Sequence, residues 1–132
     1  MAQLKTVLTG YTAYRGREGQ AAFLLHRICG LGVVLFLIIH ILDTATVYFI
    51  PALYKEAIAL YRSPLFGIGE IFLIFCVLYH GANGLRIAFF DLAAPRLWTI
   101  PSQRRSFWIT LGVALALWLP AALVMIIRIL AG

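Results

Sequence analysis

The sequence predicts an all-α integral membrane protein with three transmembrane helices, and three observations carry that class. Of 132 residues, 63% are hydrophobic and only 12% charged, against about 45–50% apolar and about 25% charged in soluble domains. Mean hydropathy is +0.95. Crossing about 30 Å of hydrocarbon as a helix takes about 20 largely apolar residues, and three stretches qualify, at 21–49, 65–90 and 107–130. They account for most of a chain that reads as one membrane domain over 1–132, with little left for a soluble catalytic domain. Such a chain is expected to work inside a larger complex.

The first span runs too long for a signal peptide, holds His26, Arg27 and His40, and lacks a small-residue cleavage site before a soluble domain. It is expected to stay in the mature protein. Between the first two spans, IPALYKEAIALYRSP is bounded by Pro51 and Pro64, with Leu53, Ala57, Leu60 and Tyr61 at helical spacing. This predicts a short helix lying in the outer interface. The third span, ITLGVALALWLPAALVMII, has no ionisable residue, is expected only to pack, and is bent by Pro120.

Basic residues orient the bundle. Lys5, Arg15, Arg17 and Arg27 accompany the N-terminus, and Arg86, Arg96, Arg104 and Arg105 the second connection; Lys55 and Arg62 lie in the first loop and Arg128 near the C-terminus. The excess places the N-terminus and second connection in the cytoplasm. Tyr48, Tyr54 and Tyr61 on one side, and Trp98 and Trp108 on the other, suit interfacial belts that anchor the chain. The net charge of +6 needs no nucleic acid to explain it. Cys29 and Cys76, 47 positions apart and both within spans, belong to no CxxC or iron–sulfur spacing and read as packing residues.

The functional signal is therefore the polar residues inside the spans. Ionisable side chains are costly in hydrocarbon and mark sites by default. At 100° per residue, Leu73, Val77, His80, Gly84, Ile87 and Asp91 share one stripe of the second span, and His26, Gly30, Val33, Leu37 and His40 one of the first. Gly84, with Gly81 and Ala82, leaves a hollow beside His80 that suits a flat macrocycle or merely a packed helix. His40 lies about 20 Å below Arg27 and His80 about 16 Å from Asp91 at 1.5 Å per residue. If Arg27 and Asp91 both mark the cytoplasmic boundary, the two histidines sit at similar depth, both within reach of a buried cofactor. A neutral imidazole there has three readings: a haem ligand whose second nitrogen donates to a carbonyl or carboxylate, a hydrogen-bonded packing residue, or a proton relay.

The segments LLHRICG (24–30), IIHILDTA (38–45) and YHGANGLRIAFFD (79–91) together resemble the cytochrome b membrane-anchor subunit of succinate dehydrogenase (succinate:quinone oxidoreductase), closest to the actinobacterial type. The likeness covers almost the full chain. It implies respiratory complex II in the bacterial cytoplasmic membrane: a flavoprotein with FAD oxidises succinate, an iron–sulfur subunit carries the electrons, and two three-helix anchors bind haem b and reduce a quinone. By the same resemblance His80 is the axial ligand to haem iron, opposite a ligand from the second anchor. His26 and Arg27 lie near the haem propionates and the quinone, where a guanidinium pairs with carboxylates and stabilises a developing quinone oxyanion. Asp91 matches a position linked to proton delivery in the quinone pocket; its other reading is an interfacial carboxylate near Arg86 or Arg96.

Two departures stand out. Where some members carry a quinone-contacting serine, three positions before the His of His-Arg, this chain has Phe23, which leaves ubiquinone and menaquinone both open. His40 is absent from many single-haem anchors, and its readings are a second haem ligand, a partner of His80 on one haem, or a hydrogen-bonded residue. A fumarate reductase anchor running the reaction in reverse, and a haem-free proton-conducting or structural subunit, are the alternatives. One complex and a trimer of complexes fit these residues equally.

Overall fold

The structure is a computed structural model that describes residues 17–131. Lys5 and Arg15, counted in the charge argument, lie outside them. Among the described residues four α-helices form: α1 (Arg17–Phe49), α2 (Pro51–Tyr61), α3 (Pro64–Ala88) and α4 (Ile100–Ala131). No strand occurs among the described residues. α1, α4, and α3 with its extension to Ala93 are each long and apolar enough to cross a membrane.

Prolines set the boundaries. Ile50 leaves the helical region (φ −146°, ψ 74°) ahead of Pro51, as expected where a proline ring clashes with the α conformation of the preceding residue. Pro51 and Pro64 then occupy first-turn positions, where the missing N–H costs nothing. α2 is the short helix expected from the spacing of its apolar residues. Pro120 lies inside α4, which continues through it.

α3 lies between α1 and α4 and packs mainly against both. Cys29, Tyr79 and Ala114, one from each long helix, are fully buried, and Leu25, Phe75, Cys76 and Leu111 close around them. Phe75 stacks on Tyr79 (5.9 Å) and meets Trp118 edge-on (5.7 Å). The Trp118 indole Nε1 donates to the Ile71 carbonyl at 2.8 Å, tying α4 to α3. Toward the α2 end of the bundle, Gly67 lets α4 close in: a Cβ there would stand 2.8 Å from Ile129 Cδ1.

The regular part of α3 stops at Ala88, and Phe89–Ala93 form a π-helical turn in which the Ala94 N–H donates to the Phe89 carbonyl at 3.0 Å. Pro95 follows, opening a short 3-10 turn over Pro95–Leu97. Many large apolar side chains of the spans, including Leu31, Leu35, Leu42, Leu85, Leu117 and Leu123, face outward and are more than half exposed. So broad an apolar surface suits lipid or neighbouring helices, not water.

Candidate functional site

The close approach of α1 to α3 is centred on His80. Its Nδ1 lies 3.1 Å from the His26 carbonyl. A carbonyl only accepts, so Nδ1 is the donor in this contact, and the neutral tautomer that fits it carries its lone pair on Nε2. The His26 imidazole stacks on that of His80, with ring centroids 4.1 Å apart and planes within 6°. Below the pair lies Gly30, where a Cβ would stand 2.8 Å from His80 Cε1 and 3.0 Å from Nδ1. Three features of one stretch of α1 thus fix the plane of the His80 ring: a carbonyl, an aromatic plate and a missing side chain.

The glycines expected to leave a hollow beside His80 on its own helix are not tightly packed. A Cβ at Gly84 would stand 3.9 Å from His26 Cε1, an ordinary contact, and one at Gly81 would meet nothing within 4 Å. The tight spot belongs to Gly30 on the facing helix.

The equal depth of His40 and His80 is also overturned. With Gly30 opposite His80, His40 lies ten residues further along α1, about 15 Å away at 1.5 Å per residue. Arg27 and Asp91 do not lie at one level. Eleven residues separate His80 from Asp91, which carries Asp91 past Arg27 toward the start of α1. His40 and His80 of one chain are too far apart to share an iron. His40 instead lines a largely apolar cavity of about 400 Å³ with Gly32, Asp43, Tyr61, Glu70 and Cys76. Its ring stacks on Phe36 at 5.3 Å, and its carbonyl accepts the Thr44 hydroxyl at 2.6 Å. Burial and the Asp43 carboxylate push the Tyr61 phenol above its ordinary value.

Arg27 is exposed, its guanidinium 5.1 Å over the Phe23 ring, a cation–π contact. Asp91 lies in the π-helical turn and accepts the Trp98 indole N–H at 3.2 Å. Asp91 forms no ion pair with Arg86 or Arg96; among the described residues the ion pair formed is Arg104 to Glu18, at 2.9 Å.

A polar seam that the sequence reading overlooked runs beside the histidines. Asn83, 1% exposed, has no partner for its Oδ1. Arg86 Nη2 donates to Gln103 Oε1 at 3.1 Å, while Arg86 Nε and Nη1, Gln103 Nε2 and His26 Nδ1 are buried without partners. The Tyr79 hydroxyl reaches the Ala22 carbonyl at 3.5 Å. Tyr79, Asn83, Arg86 and Phe90 recur at helical spacing, the signal that could have disclosed the seam. Cys29 and Cys76 also meet across α1 and α3, both as free thiols, which agrees with packing roles.

The comparisons with known proteins agree with the fold. A family model described as the succinate dehydrogenase/fumarate reductase transmembrane subunit matches residues 4–121. The succinate dehydrogenase 2 membrane subunit SdhC of Mycobacterium tuberculosis is 36% identical over 115 residues, covering 86% of this chain and 81% of that protein. With three apolar helices in place, the chain belongs to the succinate dehydrogenase/fumarate reductase transmembrane-subunit family, as a membrane anchor of the actinobacterial type.

Proposed function

We propose that this chain is a cytochrome b anchor that would hold haem b through His80 together with a second anchor subunit, and helps build the quinone-reduction site of its complex. One observation carries the reading. His80 Nδ1 is committed to the His26 carbonyl, the arrangement by which proteins orient a ligating imidazole and raise its basicity, and Nε2 is left as the donor for iron. The donor set fits the group: a neutral imidazole held in one tautomer and one plane. Bound there, haem b supplies reversible one-electron transfer. The chain's own residues orient His80 through His26 and Gly30, and Arg27 offers a cation for propionates or for a quinone oxygen.

His26, Phe23 and Arg27 on α1 form the side of the quinone pocket belonging to this chain, with Asp91 serving proton delivery at the cytoplasmic end. Electrons reach it from an iron–sulfur subunit, and succinate oxidation resides on a flavoprotein subunit. His40, remote from His80, has a packing or outer-cavity role. The N-terminus, the α3–α4 connection and Asp91 face the cytoplasm of a bacterial cell, in keeping with the basic residues gathered there. The family description spans both directions of the reaction, and fumarate reduction is the second reading. The test is the dithionite-reduced minus oxidised spectrum of the purified complex. Bands of a b-type haem are expected; their absence would favour a haem-free proton-conducting or structural subunit and end the cytochrome reading.

A further inference from the structure

Arg86 is a cation in the membrane-spanning part of α3, six residues beyond His80, and no carboxylate among the described residues forms an ion pair with it. The sequence has five acidic residues. Glu18 pairs with Arg104, and Asp91 accepts from Trp98. Asp43 lies beside Tyr61, while Glu56 in α2 and Glu70 near the start of α3 lie toward the opposite end of the bundle. The Arg86 guanidinium has one neutral partner, Gln103 Oε1, and its Nε and Nη1 are buried and unpaired. Six residues of α3, about 9 Å of helical rise, separate Arg86 from His80, on which His26 is stacked. A buried charge without a counter-charge is strongly disfavoured unless something outside the chain balances it.

We infer that Arg86 is a positioning charge for electron transfer: its uncompensated guanidinium stabilises the reduced state of the haem held at His80. The inference rests on the haem reading above. One-electron reduction from ferric to ferrous, with the electron arriving from the iron–sulfur subunit and no proton taken up, lowers the net charge at the iron by one. A fixed cation nearby favours that change. Taken at about 10 Å with an effective dielectric constant of about 20, a unit charge shifts the ratio of reduced to oxidised haem by roughly tenfold or more at a given potential. For a one-electron couple a tenfold shift is about 59 mV.

The seam itself offers the test. Arg86→Gln removes the charge, and Gln103→Glu neutralises it in place by setting a carboxylate where an amide oxygen already accepts from the guanidinium at 3.1 Å. Arg86→Lys keeps the charge. Redox titration of the haem in the intact complex should give a lower midpoint potential in Arg86→Gln and in Gln103→Glu, by a shift of this tenfold order, and a potential near the wild type in Arg86→Lys. A merely structural Arg86 would tolerate Gln103→Glu, which strengthens its contact, so an unmoved potential in that variant overturns the inference even if Arg86→Gln fails to assemble. A lowered potential in Arg86→Lys equal to that of Arg86→Gln would overturn it as well. Wild-type complex without haem removes the reading beneath it, a result distinct from normal haem content with an unmoved potential.

Discussion

Gly30→Ala tests the orientation of His80 with one added methyl group. The new Cβ would stand 2.8 Å from His80 Cε1 and 3.0 Å from Nδ1, whereas carbon contacts settle at about 3.5–4.0 Å. The ring must retreat by about 0.7 Å to restore ordinary contact. A retreat of that size stretches the 3.1 Å separation from the His26 carbonyl beyond hydrogen-bonding range. Overpacking costs about 1–3 kcal/mol and the lost hydrogen bond about 1 kcal/mol, while replacing a helical glycine by alanine returns about 1 kcal/mol. A net loss of about 1–3 kcal/mol is therefore expected, concentrated on the ring that presents Nε2. Haem per complex should fall and the low-spin electron paramagnetic resonance signal should shift, since it reports the plane of the axial imidazole. Gly112→Ala, where a Cβ meets nothing within 4 Å, serves as the control. Wild-type haem content and an unshifted signal in Gly30→Ala would refute the reasoning.

Other expectations concern the outer end of the bundle. His40→Ala should leave the haem at His80 in place, because His40 lies about ten residues of helix from the level of His80; loss of that haem equal to that in a His80 variant would contradict this. Tyr61 has an ordinary value of 10.0 that the fold raises through burial and the Asp43 carboxylate. Its contribution to stability is complete below that ordinary value and is lost as pH rises through the raised one. Alkaline unfolding, followed by thermal denaturation at stepped pH, should be blunted in Tyr61→Phe, and an identical alkaline loss in the variant would count against the Tyr61–Asp43 contact.

Much of the fold was legible in the sequence. The spans follow from runs of apolar residues, and α2 follows from Pro51, Pro64 and the periodicity between them. Within one helix, periodicity also said which residues share a stripe. The register between helices was not legible, because lipid-facing and helix-facing positions are equally apolar and nothing in the pattern fixes how one span slides along another. This is why His80 was set level with His40 when it meets Gly30 and His26. The seam of Asn83, Arg86 and Gln103 escaped for a related reason: Gln103 comes from the start of α4 and joins Arg86 only once α3 and α4 are docked. The π-helical turn that carries Asp91 left no composition signal ahead of Pro95.

The central claim is that His80 of this chain holds a haem through Nε2. It is tested most directly by quantifying haem in the purified, assembled complex after His80→Ala, beside the wild type. The account predicts b-type bands and stoichiometric haem in the wild type, and loss of the haem or of its low-spin signature in the variant. Unaltered haem with unaltered ligation in His80→Ala would contradict it.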